Sequence, residues 1–563
     1  MKKYNKISIL ALLAIIFSVG IFNSCTEEQD LKSLPYLFRP INFSASMNST
    51  LVTINWAKVD SAASYTLVVS TDSINFTNPV IQVTIDSISY VKELAGNTTF
   101  FAKIRANTSD TTKTSKFNST LRFKTPKENI FLGYGTSINT QQLYSAYMTT
   151  VKGLTIKWKP NANATRLALT RADGVPIDTL DISPSEAIAG SKLVSGLVNS
   201  KWKVEIYNGT ILRGTTYGIV EGDIILNDGD NLQAALLTAT PGQVVLLTGT
   251  GNYSLGSGTT TFNSNIKFRG LSPIQLPVVS MKTGATGTAN MFGIALGAAI
   301  DSLVFENVNF NGYCDNSSSN SKIAYIFNNK VQCSVSNIKF QNCSIHNLAN
   351  TVFRLSGGTA SAGNHITNLV FNGCLMNDVG TGYAIVNISK SYDFIDNITF
   401  ANSTISKFDY PLISIAQTAV LPNNPINAVT VTNCTFNQST QSTATKALFT
   451  FDFINITKGI NISKCIFGSS GSISAGLKAT NATSVPAVNV TGCYYTSDFV
   501  DETLIATIPY SIKSKMTPYL GKSTDLWIDP ITVSTTTPAT GGNFNLKDTN
   551  FAGKGVAGDL RMY

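Results

Sequence analysis

The chain has 563 residues, enough for about three or four domains, with 13% charged and 43% hydrophobic residues and a formal net charge of +9. That apolar share is too high for a disordered chain, and the apolar runs are too interrupted for a multi-span membrane protein. The 41 Gly and 18 Pro follow no collagen-like period, and much of the polarity comes from Ser, Thr and Asn, the mix found on β-sheet surfaces and in turns.

The positive charge is uneven. Residues 1–25 carry three Lys and no acid, residues 26–222 carry 20 basic and 15 acidic side chains, and residues 223–563 carry 19 and 18. The largest region is therefore almost neutral and offers no basic stripe, so nucleic acid is not an expected partner.

In chain order, Lys2, Lys3 and Lys6 precede the apolar run Ile7 to Phe22, a pattern that predicts an export signal and not a permanent span. Ser24-Cys25 resembles a bacterial lipoprotein cleavage site, although Phe22 and Asn23 stand where Leu and Ala or Ser are usual. Thr26-Glu-Glu-Gln-Asp30 resembles the acidic tag that sends lipoproteins of the Bacteroidetes to the outer surface. These resemblances imply lipidation at Cys25 and a lipid anchor in the outer membrane, facing the cell exterior.

Residues 33–126 alternate apolar and polar positions in short runs such as Leu51–Trp56 and Tyr65–Val69, separated by Asp, Ser and Asn turns. That spacing predicts a β-sandwich. Trp56, Tyr65, Leu94 and the run Phe100–Ala106 resemble the fibronectin type III pattern, which implies a core Trp. Residues 127–222 repeat the theme in Leu154–Trp158, Leu193–Leu197 and Trp202–Tyr207, and a second, divergent sandwich is expected there.

The pattern changes at about residue 223. Asp228–Leu237 reads as an amphipathic helix, the one convincing helix of the mature chain, with Leu232, Ala235 and Leu236 on one face. With Pro241–Leu247 and Gly251-Asn-Tyr253 it resembles the start of pectate-lyase-like right-handed β-helices, in which a short helix plugs the open end of the coil. Without a plug, that end would expose apolar core and unpaired backbone.

A stacked repeat follows. Phe305-Glu-Asn-Val308, Phe340-Gln-Asn-Cys343, Phe371-Asn-Gly-Cys374, Phe400-Ala-Asn-Ser403, Val431-Thr-Asn-Cys434, Ile462-Ser-Lys-Cys465 and Val490-Thr-Gly-Cys493 recur at spacings of 35, 31, 29, 31, 31 and 28 residues. One register held over seven copies predicts parallel strands stacked about 4.8 Å apart, with each column repeating one residue type. Cys343, Cys374, Cys434, Cys465 and Cys493 then share an interior column with Val308 and Ser403, which points to buried free thiols. Cys314 and Cys333 lie off the column, and their pairing stays open. Asn307, Asn342, Asn402 and Asn433 suit a left-handed bend, a conformation Asn and Gly tolerate. Residues 500–563 are expected to form a cap and tail. Trp527–Pro530, Gly542–Leu546 and Gly558-Asp-Leu-Arg561 resemble the closing module of exported Bacteroidetes β-helix proteins, a functionally uncharacterised group.

The expected fold is thus all-β. Sandwiches at 33–126 and 127–222 precede a right-handed parallel β-helix at 223–499 with an N-terminal capping helix.

The sequence holds no obvious catalytic cluster. A pectate-type lyase needs carboxylates gathered for calcium and a basic residue to take a proton. The outward column Val304, Lys339, Val370, Thr399, Thr430, Asn461, Asn489 contains no carboxylate. A second expected outward set, Arg354, Asn387, Ser414, Thr450 and Lys478, suits hydrogen bonding to sugar hydroxyls. Asp378 and Asp409 fall in loops of adjacent coils and are the candidate acid/base pair of an enzyme. Tyr392–Asn397 partly resembles a pectin methylesterase motif and is read as a loop before a strand. His346 and His365 are read as surface or packing residues. Gly249-Thr-Gly251 is set aside as a dinucleotide loop because a strand pattern follows it.

The leading expectation is a surface-anchored lipoprotein that binds extracellular polysaccharide, with Arg354, Asn387 and Lys478 as contacts and glycan utilisation as its setting. The alternative is a lyase or hydrolase of an acidic glycan using Arg354, Asp378 and Asp409. A structural or adhesive role is third. No cofactor is expected, with calcium implied only by the lyase alternative.

Overall fold

A computed structural model describes residues 36–562, apart from 49, 133–144, 177–178, 286, 358–362, 381–382, 391, 409–410, 417–425, 440–446, 453–455, 471–474, 481–486, 501–511 and 531–541. Cys25 and Asp409 lie outside the described residues, as does the side chain of Lys478. The chain divides into two compact units, one ending at Asn129 and adding Thr210–Arg213, the other holding Ile130–Gly209 and Gly214 onward.

The first unit is a fibronectin type III-like sandwich. Ser44–Asn48, Leu51–Asn55 and Ser89–Glu93 form a three-stranded antiparallel sheet. Ile81–Ile85, Ser64–Ser70, Thr99–Asn107 and Leu121–Lys124 form the facing four-stranded one. Strict alternation drives this: Phe100, Ala102, Ile104 and Ala106 are buried while Phe101, Lys103 and Arg105 between them are not. Trp56, Tyr65 and Leu94 lie in the core as expected, with the Trp56 and Tyr65 rings edge-on at 5.5 Å.

The second sandwich repeats this order. Ala146–Thr150, Gly153–Lys157 and Ser191–Val194 face Leu180–Asp181, Arg166–Arg171, Ser200–Asn208 and Ile211–Val220. Trp158, Leu197 and Trp202 fill its core. A helix at Pro184–Ala189 was not expected. It buries no side chain and is held by a capping box in which Ser183 and Glu186 each satisfy the other's backbone N–H.

The rest is a parallel β-helix of three sheets with ten, ten and eight strands. The first sheet runs from Ile224–Leu226 to Val488–Thr491, the second from Asn252–Leu255 to Thr517–Pro518, and the third from Thr260–Phe262 to Ala475–Thr480. The repeat register is as expected. Phe305, Phe340, Phe371 and Phe400 pair in sequence and stack at 4.9, 5.0 and 4.9 Å, matching the spacing of adjacent strands. Asn307, Asn342, Asn402 and Asn433 all have positive φ, with Gly373, Lys464 and Gly492 at the equivalent turns. Asn342 also donates to the Asn307 side chain at 2.9 Å.

The interior thiols of Cys343, Cys374, Cys434, Cys465 and Cys493 are buried and free. Cys314 and Cys333 are also buried and unpaired with each other. Burial disfavours the thiolate and pushes Cys333 and Cys374 up to about 12.

Both ends of the coil are closed. The expected helix spans Leu232–Thr238 and starts at Asn231, whose side chain caps the Ala234 N–H at 3.0 Å. Leu232, Ala235 and Leu236 are its buried face. Gly249 and Gly251 follow from packing: a Cβ at either would strike the Asp228 carboxylate, which accepts from the Gly251 N–H at 3.0 Å. At the other end, Lys515 donates to the Val488 carbonyl and Lys513 to that of Phe499, at 2.9 and 2.6 Å, satisfying groups beside the last coil. Tyr392–Asn397 is not simply a loop, because a strand begins at Phe394. The fully buried Asp393 accepts from Gly357 and Asn364 N–H groups and from the Asn364 amide.

The C-terminal segment lies against the second sheet. Trp527–Asp529 pairs with Asn543–Leu546. Asn437 donates to the Pro530 carbonyl, Thr404 donates to Asp559, and the Asp559 N–H donates to Thr435.

Candidate functional site

The expected polar set on the third sheet is a true column. Asn328, Arg354, Asn387, Ser414, Thr450 and Lys478 are successive partners across adjacent strands. Phe353 and Leu355, on either side of Arg354, are buried in the interior, as are Val386 and Ile388 beside Asn387. Period-two alternation therefore turns Arg354 and Asn387 to the outer face.

Two tyrosines complete the site. The Arg354 guanidinium lies 4.4 Å from the Tyr383 ring centroid and 5.7 Å from that of Tyr325. The rings are 6.2 Å apart. Arg354 Nη1 donates to the Tyr325 hydroxyl at 3.3 Å, and Asn350 donates to that hydroxyl at 3.0 Å. The guanidinium is thereby fixed in plane and stacked, an arrangement a Lys could not reproduce.

Two buried atoms of this column have no hydrogen-bond partner among the described residues: Arg354 Nε and Asn387 Oδ1. Leaving such a group unpaired costs about 1–3 kcal/mol. One is a donor and the other an acceptor, on directly paired residues. Both atoms lie beneath the accessible surface.

Asp378 stands elsewhere. It sits at positive φ in Leu375–Val379 of the second sheet, engaged by Lys322 at 2.7 Å and Lys407 at 3.8 Å. The structure does not bring it to Arg354, which belongs to the third sheet. His346, also on the second sheet, is buried between the Asn309 and Asn347 side chains at 2.6 Å each, and burial lowers its pKa to about 4. His365 is exposed and lies 3.0 Å from Asp396. Among the described residues, no three His, Cys, Asp or Glu side chains are gathered so as to hold a metal ion. No helix among them is long and apolar enough to cross a membrane.

Tyr325 and Tyr383 carry no sequence signal that singles them out. Tyr325 opens a strand one coil before Arg354, and Tyr383 precedes the strand one coil after it. Only the stacking register brings them together.

The fold is that of two fibronectin type III-like sandwiches followed by a parallel β-helix with an aromatic and polar outer site. A family model described as a domain of unknown function (DUF4957) matches residues 251–407, the stretch that contains Arg354, Tyr383 and Asn387. No curated protein matches. Among solved structures, the chain is similar to a two-module fibronectin type III segment of chicken tenascin, with 19% identity, covering 32% of this chain and 98% of that one at a TM-score of 0.17. It is also similar to the FN1–FN3 domains of chicken CNTN1, with 13% identity over 33% of this chain and 68% of that one and a TM-score of 0.15.

Proposed function

We propose that the protein is a surface-anchored bacterial lipoprotein whose β-helix binds extracellular polysaccharide on the outer face of its third sheet, as part of glycan utilisation. The observation that carries this reading is the Arg354 site. A stacked guanidinium and a half-buried Tyr383 ring offer a flat platform to the C–H face of a sugar ring. The column beyond Asn387 continues with the hydroxyls of Ser414 and Thr450, so neighbouring sugar units of one chain meet polar groups in turn. The anchor rests on Lys2, Lys3, Lys6, the apolar run to Phe22, and Cys25 followed by Thr26–Asp30.

Affinity electrophoresis of residues 26–563 through gels holding a panel of neutral and acidic polysaccharides tests the binding reading. Retardation by at least one polymer is expected, and free migration in every gel contradicts it. For the anchor, Cys25→Ala abolishes incorporation of labelled fatty acid; unchanged labelling removes that part of the proposal.

A further inference from the structure

The charge surplus of residues 26–222 is concentrated in one short stretch. Residues 101–127 hold seven basic side chains and one acid, Asp110. The fold turns four of the seven to one surface. On Thr99–Asn107 the outward positions include Phe101, Lys103 and Arg105, and on the neighbouring strand Arg122 pairs with Phe101 and Lys124 with Thr99. The remaining outward positions of that sheet are Ser64, Thr66, Val68, Ser70, Gln82, Thr84, Thr99 and Asn107, none of them acidic.

No ion pair among the described residues of this unit neutralises the four. Those present take Lys113 and Arg213. Asp72, at the root of the loop carrying Phe76, accepts the N–H groups of Ile74, Asn75 and Thr77. Two aromatic rings lap onto the face instead. Lys103 Nζ lies 4.0 Å from the Phe76 ring centroid and 4.9 Å from that of Phe117, and the Arg105 guanidinium lies 5.1 Å from Phe117. Arg105 Nε is buried and has no partner among the described residues.

We infer that this sheet face is a second ligand surface, distinct from the Arg354 site, and that its ligand is a linear acidic polysaccharide. Lys103 and Arg105, two residues apart on one strand, are about 6.8 Å apart, and Lys103 lies diagonal to Arg122, which pairs with Phe101, at about 7–8 Å. This makes a grid on which a chain bearing one carboxylate per sugar unit meets several cations at once. Lys103 and Arg105 are half-buried beside the Phe76 and Phe117 loops, so a slender polymer reaches them where a flat bilayer does not. The half-buried Phe117 ring adds apolar contact for sugar C–H groups.

The test uses residues 26–563 carrying Arg354→Ala, so that the β-helix site does not contribute, in gels with polygalacturonate. Retardation is expected. It falls about tenfold or more when Arg122→Glu and Lys124→Glu are added, both being exposed positions whose reversal leaves the core intact. Carboxyl-reduced, neutral polymer gives no retardation, and added salt weakens the acidic polymer's effect. Free migration of the Arg354→Ala protein overturns the inference, as does equal retardation of the charge-reversed protein. Equal retardation by poly-glutamate reduces the surface to a non-specific charge patch. Binding to phosphatidylglycerol vesicles but not to polygalacturonate assigns it to membranes instead. The Arg354 reading is judged separately, by comparing wild type with Arg354→Ala in the gels that retard wild type.

Discussion

Arg354 and Asn387 stand directly opposite each other on adjacent strands, and each keeps one buried polar atom, Nε and Oδ1, without a partner among the described residues. Stability and binding should therefore separate at this pair. Asn387→Leu removes an unpaired buried acceptor at similar volume and is expected to stabilise the β-helix by about 1 kcal/mol while weakening glycan retention. Arg354→Met is expected to leave stability nearly unchanged. Thermal unfolding together with affinity electrophoresis reads both; a large loss of stability in either variant would show that the pair serves the fold.

The C-terminal tail predicts a different outcome. Asp559 and Arg561 form a buried ion pair at 2.6 Å, and each also holds a coil of the second sheet. Asp559 accepts from Thr404 at 2.8 Å, and Arg561 donates to the Gly373 and Cys374 carbonyls. Asp559→Ala leaves a buried guanidinium without its carboxylate, at a cost of about 3–5 kcal/mol. The chain holds several cooperative units, so the loss should appear as local release of the tail. Limited proteolysis should cut residues 549–562 in the variant at protease levels that spare wild type. Resistance equal to wild type would mean that the tail is held by its apolar contacts alone.

His346 sets a pH dependence. Asn309 Oδ1 can only accept and Asn347 Nδ2 can only donate, so the two neighbours select the neutral ring with its proton on Nε2. Burial lowers the folded pKa to about 4 from an ordinary 6.5. The unfolded chain therefore binds the extra proton first as pH falls. The stabilisation is complete above about pH 6.5 and is lost between there and about pH 4, on the order of 3 kcal/mol. His346→Gln should flatten the slope of chemical-denaturation stability across that window. A wild-type slope near zero between pH 6.5 and 4.5 would contradict it.

The interior thiols should be silent. Residues 26–563 hold seven Cys, all buried and free. A thiol reagent at pH 8 should find none in the folded protein and seven after denaturation, because burial keeps groups such as Cys343 and Cys465 protonated. Cys434→Val should cost less than about 1 kcal/mol, since Val308 holds the equivalent position four coils earlier. Rapid labelling of the native protein would show that the stack opens.

Much of this architecture is legible in the sequence because a β-helix repeats its chemistry column by column. The Phe, Asn and Cys register fixes the coil. The Asn bend at 307, 342, 402 and 433 and the buried face of the plugging helix follow from local conformational rules. Arg354 and Asn387 were legible for the same reason, since alternation about known interior residues sets the outer face. The helix at Pro184–Ala189 has a readable signal in Ser183 and Glu186, but it buries nothing, so hydrophobic periodicity passes over it. Tyr325 and Tyr383 depend on which loop lies beside which coil, and the Asp559–Arg561 clasp joins residues more than 150 positions apart to their partners. Neither set of partners leaves a local pattern, although the Gly558-Asp-Leu-Arg561 run itself marks a closing segment. The basic face of the first sandwich was visible only as a net charge until strand pairing set Arg122 and Lys124 on the same face as Lys103 and Arg105.

Glycan binding is proposed to rest on the aromatic and guanidinium platform of the third sheet. The most direct measurement is the binding isotherm of residues 26–563 and of Tyr383→Ala for whichever neutral polysaccharide retards the wild type. A neutral polymer keeps the basic face of the first sandwich out of the comparison. A loss of affinity of about tenfold or more is expected for Tyr383→Ala, with an unchanged melting temperature. Equal affinity in the two proteins would place glycan binding elsewhere on the molecule and contradict the site.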